Sequence, residues 1–278
     1  MFFKKKIILA STIKDVEHNL EKLFQIFKNI SSLYEDYFVI LVESDSSDDT
    51  YNKAKRIIND FNGKVFKLNT KNIKYRTQRI EKCRNKIIET IKRNPKLKKF
   101  DHLIILDADG VNWLINKNKI FNSIVNAPKD WSGLFPTQYF CYYDLWALRI
   151  KYFFDYDCYE VLKKLSNKKN SNEIYQKKIF NNFFLISKFN KRYISVKSAF
   201  GGLGIYKIKH ILHSKYNSKK GLYSEHVLFN KKIINKGYKL YIDKKLKNSL
   251  GLNEHFLKSF IYCFSSSKLK KLLVPKFK

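Results

Sequence analysis

The chain has 278 residues and a formal net charge of +32, from 56 basic and 24 acidic side chains. A chain of this length buries roughly 70–75% of its unfolded surface and needs no disulfide or metal staple, and 44% hydrophobic content excludes a disordered protein. No stretch reaches the ~20 apolar residues of a membrane span, and Ile7-Ile8-Leu9-Ala10, after Lys4-Lys5-Lys6, is too short for a signal peptide's apolar core of about 7–15 residues.

Lys6–Ala10 reads as a first strand, followed by a polar turn at Ser11-Thr12. Val16, Leu20, Leu23, Phe24, Phe27 and Ile30 recur at helical spacing. Tyr37–Val42 is a second strand that runs into Glu43-Ser44-Asp45-Ser46-Ser47-Asp48-Asp49, where Ser47, Asp48 or Asp49 can cap a helix carrying Tyr51, Ala54, Ile57, Ile58 and Phe61. Gly63 ends that helix, and Lys64–Leu68 is a short third strand. Ile80, Cys83, Ile87 and Ile91 mark a third helix that stops near Pro95. The apolar run from Leu103 to Leu106 is a buried strand that ends at Asp107-Ala108-Asp109.

Strands alternating with helices of this length predict βαβ units and a parallel sheet. The second half is less regular. Trp131–Phe135, Ile194–Val196, Gly204–Lys207 and Tyr238–Ile242 read as strands and Val227–Ile234 as a helix. Residues 163–182, rich in lysine and asparagine, read as a surface excursion. One catalytic-size domain over residues 1–257 and a basic amphipathic tail over 258–278 are expected.

Asp107 and Asp109 are the sharpest chemical signal. Two carboxylates past a strand end suit Mn²⁺ or Mg²⁺, which take hard oxygen ligands from a few carboxylates and from substrate phosphates. Ligands of α/β sheets bind beyond the carboxyl ends of the strands. Glu43 and Asp45 stand at the same expected edge, where a carboxylate can accept hydrogen bonds from a base ring or a ribose hydroxyl; helix capping by Asp48 and Asp49 is the plainer use of that segment.

Seven of the 56 basic residues are arginine, and Arg76, Arg79 and Arg84 fall within nine positions. In a chain that writes lysine almost everywhere, as an AT-rich genome does, such a cluster stands out. Arginine grips phosphate bidentately, and Arg76 and Arg79 lie near a helix start that favours anions; a solvated helix face is the alternative. Gly201 and Gly202, within Phe200-Gly201-Gly202-Leu203-Gly204, allow a sugar or diphosphate close to the backbone, or simply make a tight turn. Ser224-Glu225-His226 opens a helix, either as a cap with an acidic first turn or as a carboxylate and imidazole for proton transfer. His255 is a candidate third metal ligand or a structural histidine.

In order along the chain, Ile7–Thr12, Glu43–Thr50, Arg76–Asn85, Asp107-Ala108-Asp109, Phe200–Gly204 and Ser224-Glu225-His226 resemble a GT-A type nucleotide-sugar glycosyltransferase. More narrowly, they are similar to the fungal capsular α-mannosyltransferases, glycosyltransferase family 69. The resemblance implies a Rossmann-like, mostly parallel sheet flanked by helices, and metal-dependent transfer of a sugar from a nucleoside diphosphate. It implies Asp107 and Asp109 on the metal with His255 as a further ligand, Ser11, Thr12, Glu43 and Asp45 around the nucleoside, and Arg76, Arg79 and Asn85 on the phosphate side. Gly201, Gly202 and Glu225 would face sugar and acceptor. The family is retaining and demands no single base; were this enzyme inverting, Glu225 would be the base. The implied acceptor is a glycan or lipid-linked glycan of surface polysaccharide, lipopolysaccharide or capsule.

Fungal relatives carry an N-terminal membrane anchor. Its absence here points to a bacterial-type cytoplasmic enzyme, peripheral on the inner face of an anionic membrane. Cys83, Cys141, Cys158 and Cys263 form no CxxC, which agrees with a reducing compartment. Two rivals remain. A nucleic-acid-binding protein would gather its basic residues on one face with aromatic platforms, whereas these lysines are spread along the chain, so no nucleic-acid partner is expected. A sugar nucleotidyltransferase would carry a glycine-rich loop after the first strand, and Ala10-Ser11-Thr12-Ile13-Lys14 has no glycine.

Overall fold

A computed structural model describes residues 2–165, 171–252 and 254–264. In chain order its elements are β1 (Phe3–Ile13), α1 (Leu20–Ser31), β2 (Tyr34–Ser44), α2 (Thr50–Ile57), β3 (Gly63–Leu68), α3 (Arg76–Arg93), α4 (Pro95–Lys98), β4 (His102–Leu106) and α5 (Lys117–Val125). Then follow β5 (Trp131–Thr137), α6 (Cys158–Leu165), α7 (Ser171–Lys178), β6 (Tyr193–Val196), β7 (Leu203–Lys207), α8 (Ile208–Ile211), α9 (Glu225–Ile234), β8 (Lys239–Lys247) and α10 (Glu254–Phe264).

The strands form an eight-stranded sheet in the order β3-β2-β1-β4-β7-β5-β8-β6. β1 pairs in parallel with β2 and β4, and β2 with β3. β7 is antiparallel to both β4 and β5, β8 is parallel to β5, and β6 closes the far edge antiparallel to β8. The α/β class and the mostly parallel sheet match the expectation.

Both faces of the central strands are buried, which is why they read as unbroken apolar runs rather than alternating ones. Period-two geometry sends Ile8, Ala10, Ile40, Val42, Leu103 and Ile105 to one face, where α3 packs Cys83, Ile87, Ile88 and Ile91 and α9 packs Phe229 and Ile233. Ile7, Leu9, Val39, Leu41, Ile104 and Leu106 point the other way, onto α1, α2 and α5 through Leu23, Phe24, Phe27, Ile30, Ala54 and Ile120. Each fully buried side chain of this size contributes about 1.5–3 kcal/mol relative to exposure.

Two segments differ from the sequence reading. The described residues of 163–182 are not a surface excursion, because α7 and the turns after it bury Tyr175, Ile179, Phe180 and, just beyond, Phe183 against the main core. Lysines between those aromatics mask their period, while the long lysine stems leave the charges in water. The helix α5 was not expected; its start is set by Asn116, whose side chain accepts from the Lys119 amide at 3.1 Å. Cys83, Cys141 and Cys158 are buried free thiols. Among the described residues no helix is long and apolar enough to cross a membrane. Of the expected tail, residues 258–264 belong to α10, and 265–278 lie outside the described residues.

Candidate active site

The carboxyl ends of β1, β2 and β4 converge because these strands are neighbours and parallel. Asp107 follows directly on β4. Its amide donates to the Gly202 carbonyl at 2.9 Å, continuing the β4–β7 ladder one step past Leu106 and Leu203. Asn112 ties the same corner, donating to the carbonyls of Asp107 (3.1 Å) and Gly202 (2.8 Å). Asp109 is exposed, with one carboxylate oxygen accepting from the Val111 amide at 3.2 Å.

Arg84 is the centre of the site. It sits on the buried face of α3, its side chain 5% exposed. Its Nη2 donates to Asp107 Oδ1 at 2.9 Å. Its Nη1 is ion-paired with Glu225 and also meets His226 Nε2 at the start of α9. The guanidinium carbon lies 4.7 Å from the centre of the Phe200 ring, and that ring stacks on His226 at 3.8 Å. One arginine thus joins three segments far apart in sequence.

The electrostatics follow from burial. Desolvation pushes the Asp107 carboxyl up to about 7; Arg84 pulls against this, while Asp109 and Asp144 add repulsion. Burial, then Arg84, drives His226 well below its ordinary value, so it is a neutral acceptor. Asp144 was not singled out from the sequence. It reaches this corner from the segment after β5, accepting from the Gly201 amide at 3.0 Å.

The remaining expected residues divide by what they touch. Thr12 is partly buried at the end of β1. Ser11 is buried and donates to the Leu106 carbonyl at 2.7 Å, so its hydroxyl cross-links β1 to β4 and does not face a nucleoside. Glu43 is 1% exposed; one oxygen accepts from the Ser46 amide at 2.7 Å, and Oε2 has no hydrogen-bond partner among the described residues. Asp45, in a left-handed conformation at φ 54°, accepts from the Thr70 amide and hydroxyl at 2.8 and 2.6 Å. The Thr70 hydrogen bonds hold its carboxyl below the usual range despite the opposing effect of burial.

Arg76 is exposed at the start of α3, and its charge acts on Asp107. Arg79 donates to the Ile73 carbonyl at 3.2 Å, tying the loop before α3. The role of gathering the acidic corner falls instead to Arg84. Asn85 is buried and exchanges hydrogen bonds with the Tyr216 backbone, at 3.1 and 2.8 Å, so it clamps α3 to that loop rather than turning to a phosphate.

Gly201 and Gly202 are buried at φ 64° and 85°. A Cβ on Gly202 would come within 2.5 Å of Val111 Cγ1 and 2.7 Å of the Tyr143 hydroxyl. The close approach here is by the protein's own side chains. Asn248 donates to the Gly201 carbonyl (2.7 Å) and to Asn112 (2.9 Å), and accepts from Gln138 (2.9 Å), which makes the corner rigid. Glu225, expected to face sugar and acceptor, is 5% exposed and held by Arg84. A buried, ion-paired carboxylate is a poor base for an external hydroxyl, so the base role is corrected to a structural one. Ser224 makes no side-chain cap to α9. The side chain of His255 lies outside the described residues.

Asp107, Asp109, Glu43, Asp45, Thr12 and Arg76 thus share one edge of the sheet. Among the described residues, no three His, Cys, Asp or Glu side chains are gathered closely enough to hold a metal ion. A cation at Asp107 and Asp109 would therefore draw its other ligands from a substrate or water, the usual habit of Mg²⁺ beside phosphates.

The sheet order, with an antiparallel strand inserted after β4 and an acidic pair at the end of β4, is the fold of the GT-A glycosyltransferases. Two such structures superpose on this chain. Residues 1–349 of TarS from S. aureus match with a TM-score of 0.50 and 13% identity, over 96% of this chain and 69% of that one. The mannosyltransferase PcManGT from Pyrobaculum calidifontis, in complex with GDP-Man and Mn²⁺, matches with a TM-score of 0.53 and 11% identity, over 93% of this chain and 60% of that one. The chain spans 42% of a longer TarS structure. At such identities the likeness is one of fold. No protein-family model matches the chain, and no curated protein matches it by sequence.

Proposed function

We propose that this chain is a metal-dependent glycosyltransferase that moves a sugar from a nucleoside diphosphate to a glycan or lipid-linked acceptor in surface polysaccharide, lipopolysaccharide or capsule synthesis. The observation that carries the reading is Asp107, at the carboxyl end of β4, held by a buried arginine with Asp109 exposed two residues on. The motifs alone carry the narrower likeness to glycosyltransferase family 69.

The residues fit a divalent cation. Burial above all, and then the charges of Asp109 and Asp144, leave Asp107 reluctant to ionise; a cation would favour its ionised form. Asp107 and Asp109 would hold Mn²⁺ or Mg²⁺, with His255 as a further candidate. Bound there, the metal would neutralise charge on the leaving diphosphate. Arg84 keeps Asp107 aimed at the edge, and Glu225 balances the buried guanidinium. Arg76, with the amides of the first turn of α3, adds positive potential for the phosphates. Glu43, through its unpartnered oxygen, is the candidate acceptor for a nucleoside N–H or O–H, with Thr12 and Asp45 beside it. The setting consistent with this chemistry is the cytoplasm, where nucleotide sugars are made, with residues 258–278 docking on the inner face of an anionic membrane.

Isothermal titration with UDP, GDP and their sugars, with and without Mn²⁺, tests the reading. The expected result is binding of one nucleoside diphosphate that strengthens with the metal and raises the melting temperature by mass action. Binding of none of them, with or without Mn²⁺, overturns it.

A further inference from the structure

Past the carboxyl ends of β5 and β8, beside the acidic edge, large apolar side chains are exposed on three adjoining segments. The amides of Tyr139 and Phe140 donate to the carbonyls of Ser249 (3.1 Å) and Leu250 (3.0 Å), which sets Leu250 and Leu252 beside them. Two residues past Leu252 the chain enters α10, whose Leu257 and Phe260 lie one turn apart on the same side. These six side chains are between 40% and 58% exposed. The segments are packed together from beneath: the Tyr142 amide donates to the Phe183 carbonyl at 2.8 Å, and the Phe256 ring lies 5.6 Å from that of Phe183.

Residues 138–142, 247–252 and 256–264 contain no aspartate or glutamate, and their charged residues are Lys247 and Lys258; Glu254, between the last two ranges, is the acidic residue of the neighbourhood. Lys247 is half-buried, with its Nζ donating to the Gln138 carbonyl at 2.7 Å and lying 5.5 Å from the centre of the Tyr139 ring. Clustered exposed apolar groups of this kind mark an interaction surface. Leucine and aromatic side chains on a chain of net charge +32 suit the boundary between anionic lipid headgroups and acyl chains.

We propose that this face docks on an anionic lipid bilayer. Tyr139, Phe140, Leu250, Leu252, Leu257 and Phe260 enter the interface, and the net charge of +32 draws the chain to the lipid phosphates. The proposal adds a folded surface to the docking proposed for residues 258–278, and it stands independently of the glycosyl-transfer reading. A second copy of the chain is a poorer occupant, because each brings a net charge of +32.

Sedimentation of the full chain with phosphatidylcholine vesicles, with and without phosphatidylglycerol, tests this. Phe140→Ser/Leu252→Ser and Leu257→Ser/Phe260→Ser are compared with wild type, with melting temperatures confirming the fold. Wild type is expected to bind the anionic vesicles, and each double variant to bind about tenfold or more weakly, the loss expected from two apolar anchors. Three outcomes overturn the proposal: wild type that stays in the supernatant with anionic vesicles at low salt, double variants that bind like wild type, or a wild-type dimer that the substitutions turn into monomer. Nucleotide binding is titrated in solution without vesicles, so failure of docking and failure of the enzymatic reading are read separately.

Discussion

Arg84 Nη2 donates to Asp107 Oδ1 at 2.9 Å, while the same guanidinium is ion-paired with Glu225. Both acids follow the arginine in sequence, 23 and 141 positions later. The acidic edge is therefore braced from inside the molecule.

That bracing makes Arg84 and Glu225 a unit. Removing one partner leaves a buried charge without its counter-ion, which costs about 3–5 kcal/mol. Arg84→Met should lose that much in urea unfolding and also weaken Mn²⁺-dependent nucleotide binding. Adding Glu225→Gln should recover much of the stability but not the binding. Glu225→Gln alone should lower kcat less than about tenfold, against the 10²–10⁴ expected for a general base. A larger drop, with the loss of one limb of the pH–rate profile, would return Glu225 to the base role.

Asp109 is exposed, so replacing it should leave the fold within about 0.5 kcal/mol of wild type. Asp109→Asn is expected to abolish the metal-dependent part of UDP or GDP binding in titration calorimetry. Undiminished binding, or wild-type transfer in excess EDTA, sinks the metal role.

Gly202 and Gly237 have nearly the same backbone, at φ 85° and 82°, but different surroundings. A Cβ at Gly237 meets nothing within 4 Å, whereas at Gly202 it meets Val111 and Tyr143. Gly237→Ala should cost only the backbone strain, about 1–2 kcal/mol. Gly202→Ala should cost that and about 1–3 kcal/mol of overpacking, and should weaken nucleotide binding because the Gly202 carbonyl anchors the Asp107 amide. Equal melting temperatures for the two variants would contradict the packed loop.

His102 is buried at the start of β4, beside Ile7 of β1, with Nδ1 2.9 Å from the Tyr34 hydroxyl. Burial, reinforced by Lys5 and Lys207, drives it down to about 3 from an ordinary 6.5. Between those values the unfolded chain binds a proton that the folded chain refuses. Stability should therefore fall as the pH drops from about 6.5 towards 3, by up to about 1.4 kcal/mol per unit. In His102→Gln this contribution is absent, so unfolding free energies measured from pH 7 to 4 should decline less steeply than in wild type. Parallel curves would show that His102 titrates normally.

The sequence by itself determined the central sheet, because strands buried on both faces leave apolar runs that need no partner to be recognised. It also marked the ends of β2 and β4 as acidic, since carboxylates directly after such runs are local features. Arg84 carried a legible signal, an arginine at position i+4 from Ile80 and i−3 from Ile87 on an apolar helix face, although Arg79 looked the better candidate when exposure was unknown. Only the tertiary structure decided which groups meet. The antiparallel insertion of β7 beside β4 brings Gly202 to Asp107, and the packing of α9 against α3 turns Glu225 inward to Arg84. Asp144 and the Asn112–Asn248–Gln138 network joined the site through contacts spanning 57 to 136 residues. The physical reason is range: periodicity records which face of an element is buried, while a hydrogen bond between distant segments leaves no period in either of them.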